Sequence, residues 1–185
     1  MRGRREVRSA LILGGAGSIW TDAADALQMG CYDLTIAINN IGARWSDPID
    51  IWCTLHPDKM VGWRADRARA GYPQAARHIS HIPADGIDEG CEYRFPNQPS
   101  SGSSGLFAVK LAMDEDCDRI VLAGVPMSPE IGHHDDGKPW DECKAYLPAW
   151  QWALPMLKGR VKSMGGWTAE QLGQPNTDWF AARTA

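Results

Sequence analysis

A length of 185 residues, with 44% hydrophobic and 23% charged side chains, suits one globular domain over 1–185 and excludes a disordered or fibrous chain. The net charge of −4 argues against general nucleic-acid binding, because neutralising phosphates requires a basic surface. No run of about 18 apolar residues could span a bilayer, and five widely spaced cysteines without a C-x-x-C pair indicate reduced thiols and a cytoplasmic location.

Short apolar runs alternate with helical patterns through the first half of the chain. The predicted strands of this half cover residues 11–13, 34–38, 49–55 and 77–82. A basic arm, residues 1–8, precedes the first strand, and apolar residues at helical spacing then predict a helix over 19–30, ending at Gly30. A second helix follows the third strand, with Pro57 in its first turn and Gly71 beyond its end.

The second half begins with a loop rich in proline and glycine and continues with a helix and a strand. Residues 83–105 end in "PSSGSSG", which alone is typical of a flexible linker. A helix from Leu106 and a buried strand at 119–124 follow directly, so we place the serines at a helix N-terminus. Residues 140–185 are rich in tryptophan and interrupted by prolines, which predicts broken helix and a short last strand packing on the domain. The alternative role for these tryptophans is an interface between subunits of a homo-oligomer.

This alternation of strands and helices predicts the α/β class, as a Rossmann-like three-layer sandwich with a mostly parallel sheet. In such sheets ligands bind outside the carboxyl ends of the strands. The loops that follow the strands are therefore the candidate binding sites.

The loop after the first strand, "GGAGS", opens a helix, where backbone N–H groups and the helix dipole can face an anion. The dinucleotide fingerprint G-x-G-x-x-G would end at Trp20, and asparagines replace the acid expected after the second strand, which disfavours NAD. A tight turn without a ligand is the alternative. The candidate residues of this loop are Gly14, Gly15, Gly17 and Ser18.

Polar side chains also follow the second and third strands. The amides of Asn39 and Asn40 could hold a base or a ribose without adding charge, or they could end the strand by bonding to the backbone. His56 could contact a ligand, and a partly buried structural histidine is the alternative. All three residues stay candidates.

The serine loop before the second-half helix offers another anion site. Ser103 or Ser104 is a natural N-cap, and hydroxyls beside free helix N–H groups make a phosphate cradle. Gly102 and Gly105 are misplaced for the G-x-S-x-G nucleophile elbow, and simple capping is the alternative. The candidate residues are Ser103, Ser104 and Gly105.

The loop after the strand at 119–124 is rich in titratable side chains. His133 and His134 are adjacent, so on an extended segment they point apart, and no H-x-x-x-H or C-x-x-C spacing supports a metal site; we predict none. His133 alone suits a general base, because histidine titrates near neutral pH. His134 and Asp135 are secondary candidates, and a solvated loop is the alternative.

The order of these motifs is more informative than any one of them. "GGAGSIW" stands at the pattern G-x-G-P-S-L, an asparagine follows the second strand, "SSG" opens a helix, and "LAGVPM" stands at x-x-G-x-D-F before "IGH". Together they cover most of residues 9–135 and resemble the bacterial sialyltransferases that use CMP-activated sugars. The motifs also resemble those of the wider group of phage and prokaryotic proteins related to the archaeal hydroxymethylpterin diphosphokinase. The proline of the first motif is absent, Pro126 replaces the aspartate, and the tyrosines that flank the leaving phosphate have no clear match.

The resemblance implies a nucleotide or nucleotide sugar as substrate and no separate cofactor. The glycine loop would approach the phosphate and sugar, and Asn39 or Asn40 would hold the ribose or base. Ser103 and Ser104 would bind phosphate or a donor carboxylate, and His133 is similar to the base that takes the proton of the acceptor hydroxyl. On this resemblance we expect a glycosyltransferase-like enzyme that uses a nucleotide-activated donor and an unidentified acceptor.

Two other functions stay open. A non-catalytic nucleotide sensor on the same fold is favoured by the missing tyrosines and aspartate, whereas the polar loop after the strand at 119–124 favours an enzyme. A metal-dependent phosphohydrolase would use the side chains of His133, His134, Asp135 and Asp136.

Overall fold

The computed structural model describes residues 7–181. Its strands are β1 (Ser9–Leu13), β2 (Leu34–Ile38), β3 (Ile51–Thr54), β4 (Arg77–Ser80), β5 (Glu89–Gly90), β6 (Arg119–Ala123) and β7 (Val161–Ser163). Its helices are α1 (Ile19–Met29), α2 (Ile41–Arg44), α3 (Met60–Arg69), α4 (Ser103–Asp114), α5 (Leu147–Leu157), α6 (Gly166–Leu172) and α7 (Thr177–Ala181). Short 3₁₀ helices cover Pro57–Lys59 and Asp141–Tyr146.

All seven strands form one parallel sheet in the order β5-β4-β3-β2-β1-β6-β7. At its centre, Leu11 of β1 is in register with Thr35 of β2 on one side and Val121 of β6 on the other. The chain runs outward from β1 to β5, and α4 then crosses back to β6. The strand order therefore reverses between β1 and β6, and loops leave this point in opposite directions. Such a reversal creates a crevice at the carboxyl edge of the sheet.

Alternate residues of the central strands enter two separate cores, because side chains of a strand point to opposite faces. Ile12 and Leu122 pack with α4 and α5 on one face. Leu11 and Trp52 pack with α1, α2 and the start of α3 on the other face. The predicted α/β three-layer sandwich is confirmed, and the sheet is wholly parallel.

The C-terminal segment differs from the prediction of broken helix. Helix α5 continues through eleven residues, although it contains two prolines. Pro148 lies in the first turn, where the missing N–H would have had no helical partner. Pro155 lies in the last turn, so the bond and the straightness that it removes affect only the end of the helix. The sequence also did not reveal β5, α2, α6 or α7.

The ends of the described region bear on two further predictions. Most of the predicted basic arm, residues 1–6, lies outside the described residues. Within them, Arg8 donates its backbone N–H to Asp118 and pairs with Glu115 at 3.5 Å. Among residues 7–181, no helix has the length and apolar character needed to cross a bilayer.

Candidate functional site

A cleft of about 730 Å³ opens at the carboxyl edge of the sheet. This volume lies within the range of pockets that bind small molecules, roughly 300–1,000 Å³. Its lining residues come from the stretches 14–16, 38–40, 55–56, 101–105, 124–133 and 136–146. The loops after β1, β2, β3 and β6 and the N-terminus of α4 thus meet at one place, as the rule for parallel sheets requires.

Most of the predicted site residues line this cleft, and some do not. Those that line it are Gly14, Gly15, Asn39, Asn40, His56, Ser103, Ser104, Gly105 and His133. Those that lie outside the lining are Gly17, Ser18, His134 and Asp135. The structure therefore brings the asparagines, serines and His133 together but separates the end of the glycine loop from them.

The backbone of the glycine loop is bonded to the protein itself. The N–H of Gly14 donates to the Ala123 carbonyl at 2.8 Å, that of Ala16 to Gly124 at 3.1 Å, and that of Gly17 to Gly132 at 2.6 Å. These donors join the loop after β1 to the loop after β6. They are consequently not free to bind an anion.

A carboxylate also occupies the N-terminus of α1. The Ser18 hydroxyl donates to Asp22 Oδ2 at 2.8 Å, and the Gly124 N–H donates to the same oxygen at 2.9 Å. An acidic group here interacts favourably with the positive end of the helix dipole. Asp22 therefore places a negative charge in the first turn of α1, which disfavours a phosphate at this end of the helix.

The glycines of this loop serve close packing. A Cβ atom on Gly14 would lie 2.3 Å from the Gly124 carbonyl oxygen, and one on Gly15 would lie 3.0 Å from His133 Nε2. The absence of side chains lets the loop after β6 pass directly over the loop after β1. This contact brings the His133 ring to the rim of the cleft.

The N-terminus of α4 is open to the cleft and has no acidic residue in its first turn. Its N-cap is Gly102, so the prediction of a serine N-cap is wrong by one position. Ser103 has a φ of +66°, and its Oγ accepts the N–H of Gly105 at 3.2 Å. Ser103 thus supplies a capping bond from inside the helix. The end is fixed in place by the indole N–H of Trp150, which donates to the Gly102 carbonyl at 2.9 Å.

A hydrogen-bonded group beneath the cleft orients the Asn39 side chain. Its Oδ1 accepts the Thr54 hydroxyl at 2.8 Å and the Ser104 hydroxyl at 3.3 Å. The Ser104 oxygen in turn accepts the Leu55 N–H at 3.3 Å. Ser104 therefore positions Asn39, and no bond within residues 7–181 engages the Asn39 amide nitrogen, which remains a donor at the cleft surface.

Asn40 has a different role, because its amide binds the loop after β6. Its nitrogen donates to Asp135 Oδ2, and its oxygen accepts from His134 Nε2 at 3.2 Å. Arg44, one turn further along, lies 3.9 Å from Asp135 Oδ1. Asn40 thus joins two walls of the cleft while it lines the space between them.

The prediction that the side chains of His133 and His134 point apart is wrong. Their ring centroids are 4.5 Å apart with 34° between the planes, because the segment turns here and is not extended. Ligand atoms of these histidines and Asp135 all lie within 4.8 Å of one another. The geometric objection to a shared metal ion is therefore removed.

The two rings differ in burial and in their contacts. The His133 side chain is 40% exposed, and its Nδ1 accepts the Asp135 N–H at 3.3 Å. The His134 side chain is 3% exposed, and its Nδ1 lies 3.2 Å from Asp135 Oδ1. Burial lowers the pKa of His134, the Asp135 carboxylate opposes this shift, and His133 and Arg44 add to it.

His56 lines the cleft with an exposed side chain, so it is available to a ligand. Partial burial lowers the pKa of His56, and the neighbouring Lys59 adds to this shift. His56 is consequently neutral near pH 7. Its backbone N–H donates to Thr54 Oγ1 at 2.8 Å, which connects His56 to the group around Asn39.

Sequence reasoning missed one wall of the cleft. No motif marks this wall, which is lined by Lys138, Trp140, Glu142 and Tyr146. The only signal was the tryptophan-rich composition of residues 140–185. It indicated packing over the domain without indicating which rings reach the cleft.

Comparison with protein-family models finds no match for this chain. Comparisons with curated proteins and with solved structures find no significant match either. The function therefore has to be argued from the geometry of the cleft.

Proposed function

We propose that the protein is a transferase that binds a nucleotide-activated donor in this cleft. The observation that carries the proposal is the N-terminus of α4, which opens into a cleft at the reversal point of a parallel sheet. Its first turn bears serines and no carboxylate. A helix N-terminus of this kind favours phosphate through the dipole and through the N–H of Ser104. Within residues 7–181 no bond engages this N–H, whereas those of Ser103 and Gly105 bond to serine hydroxyls of the same loop. The Asn39 amide nitrogen adds a neutral donor beside it.

In this proposal His133 removes the proton of an acceptor hydroxyl. The acceptor oxygen forms a bond to the activated centre of the donor, the bond to the phosphate breaks, and the phosphate leaves with the electron pair. The donors at α4 stabilise the negative charge of the leaving phosphate. Because Nδ1 of His133 accepts the Asp135 N–H, the neutral ring carries its hydrogen on Nε2. The hydrogen must move to Nδ1, 3.9 Å from Asp135 Oδ2, before Nε2 can act as the base.

The test compares turnover and binding in a His133→Ala variant. Loss of a general base lowers turnover by about 10²–10⁴-fold, while nucleotide affinity measured by calorimetry stays within a few-fold. His81→Ala is the control, because this histidine lies outside the lining of the cleft. An equal loss of turnover and affinity would show that His133 is not the base. A thermal shift with nucleotides but no product with any nucleotide sugar would instead support the non-catalytic sensor.

One observation favours a second candidate, the metal-dependent phosphohydrolase. The Asn40 oxygen fixes the hydrogen of His134 on Nε2, so the lone pair of Nδ1 faces a carboxylate oxygen of Asp135 at 3.2 Å. A cation between these atoms would relieve their repulsion, and His133 supplies a third ligand. Imidazole and carboxylate are ligands that Zn²⁺ takes in proteins. Hydrolysis that is lost in excess chelator and restored by Zn²⁺ would support this candidate, and activity that survives the chelator would exclude it.

A further inference from the structure

An aromatic pair forms part of the cleft wall outside every motif of the sequence. Trp140 lines the cleft with 38% of its surface exposed. The half-buried Tyr146 lines it as well, with the ring centroids 5.7 Å apart and 32° between the planes. We propose that Trp140, supported by Tyr146, is the surface on which the base of the bound nucleotide stacks. This inference rests on the proposed nucleotide site.

The aromatic pair is anchored to the core. The backbone N–H of Trp140 donates to the Pro129 carbonyl at 3.1 Å, and the Trp140 carbonyl accepts the N–H of Cys143 at 3.2 Å. Cys143 is fully buried. An aromatic side chain whose backbone is already fixed loses little conformational entropy when a ligand stacks on it. The exposed indole face is therefore pre-organised for a flat ring.

The aromatic pair also borders the phosphate site proposed at α4. Tyr146 directly precedes α5, and Trp150 lies one turn further along the chain. Residues four apart on a helix lie on the same side, and the Trp150 indole N–H donates to the Gly102 carbonyl at the start of α4. A ligand with its phosphate at this helix N-terminus therefore extends along the wall that Tyr146 and Trp140 form.

Glu142 supplies a means of distinguishing one base from another. It lines the cleft two residues after Trp140, and within residues 7–181 no side chain pairs with its carboxylate. An ionised carboxylate only accepts hydrogen bonds. It therefore binds the exocyclic amino group of cytosine or adenine and disfavours the carbonyl that replaces this group in uracil or hypoxanthine.

The experiment measures the affinity of the full chain by calorimetry for two matched pairs, CMP with UMP and AMP with IMP, and for ribose 5-phosphate. Stacking of one base on an aromatic ring is worth about 5- to 150-fold in affinity, so Trp140→Ala weakens nucleotide binding by roughly fivefold or more. Ribose 5-phosphate, which has no base, binds the variant as it binds the wild type. Trp140→Phe keeps most of the affinity, and Glu142→Gln removes the preference for the amino-bearing member of each pair.

The matched control is Trp20→Ala. Trp20 is 47% exposed and stacks on Trp45, with ring centroids 6.3 Å apart, but it does not line the cleft. Unchanged nucleotide affinity in Trp140→Ala, or an equal loss for ribose 5-phosphate, would overturn the stacking surface and leave the phosphate site standing. If the wild type binds neither the nucleotides nor ribose 5-phosphate, the proposed function fails and the stacking surface fails with it.

Discussion

Two helices of this protein begin at the same edge of the sheet, and both carry a motif that suggests an anion site. At α1 three N–H groups of the loop are bonded to carbonyls at the end of β6 and in the loop after it, and Asp22 supplies a negative charge of the protein's own. At α4 the first turn has no acidic residue and opens into the cleft. The first N-terminus thus carries a negative charge of the protein's own, whereas the second opens into the cleft with a neutral first turn and with no bond to the Ser104 N–H within residues 7–181.

The difference teaches that a glycine loop before a helix has two physical uses. Glycine lets a backbone approach a phosphate closely, and it equally lets one backbone approach another. Here the second use prevails at α1, because the missing side chain of Gly14 makes room for Gly124 and Val125. The phosphate site is therefore expected at the serines and not at the glycines.

The largest expected effect comes from closing the space at Gly14. In Gly14→Ala the new Cβ would lie 2.3 Å from the Gly124 carbonyl oxygen and 2.5 Å from Val125 Cγ2. The backbone of one loop must move, and such overpacking costs about 1–3 kcal/mol, sometimes more. We expect the free energy of unfolding, measured by urea denaturation, to fall by about 3 kcal/mol.

Gly62→Ala is the control for this substitution. Gly62 lies inside α3, and a Cβ there would have no neighbour within 4 Å. Alanine is the better helix former, so this variant gains roughly 0.5–1 kcal/mol. If Gly14→Ala were as harmless as Gly62→Ala, the two loops would not be in contact.

A smaller effect separates the serines at the two helix starts. Ser104→Ala removes the hydroxyl that donates to Asn39 and accepts the Leu55 N–H, so the Asn39 side chain keeps its bond to Thr54 but is held less firmly. We expect nucleotide affinity to fall about tenfold, since a hydrogen bond contributes roughly 0.5–1.5 kcal/mol. Ser18→Ala breaks only the bond to Asp22 and leaves the affinity unchanged. Equal losses in both variants, measured by calorimetry with the same nucleotide, would mean that both helices bind phosphate.

The sequence predicted the sheet well because most strands are signalled locally. The apolar run Leu34–Ile38 forms β2 as predicted, since buried parallel strands are continuously apolar. Two-residue β5 consists of an exposed glutamate and an exposed glycine and therefore has no such pattern. The single turn α2 depends on a distant residue: the buried Arg67 guanidinium donates to the carbonyls of Gly42 at 2.7 Å and Asp47 at 3.0 Å. No local pattern could have shown that contact.

The site was predictable in its location and less so in its details. The convergence of Asn39, Ser104 and His133 follows from the general rule that the carboxyl ends of parallel strands share an edge. Which donors are free is decided by contacts between loops far apart in the chain, such as the bond from Gly17 to Gly132. The turn that brings the two histidines together is signalled only by the pair Asp136-Gly137, which is typical of turns, and the prediction of an extended segment did not use this pair.

The smallest expected effect is a pH dependence of stability, and it arises at His134, next to the glycine loop that precedes α1. His134 joins the two loops, because its backbone N–H donates to the Gly15 carbonyl at 3.0 Å. Burial holds the pKa of His134 below its ordinary value near 6.5, so the unfolded chain takes up this proton at a higher pH than the folded protein does. The contribution of His134 to stability is therefore present above pH 6.5 and is lost as the pH falls below it.

We accordingly expect the wild type to lose more free energy of unfolding between pH 7.5 and pH 5.5 than a His134→Asn variant loses. The difference is a fraction of the roughly 1.4 kcal/mol that a full pKa unit would give, because the Asp135 carboxylate offsets part of the effect of burial. Burial also lowers the pKa of His78, but His78 is present in both proteins and cancels from the comparison. Parallel pH profiles in urea denaturation would mean that His134 titrates alike in the folded and unfolded chains. The burial of the His134 ring between the two loops would then not oppose its protonation.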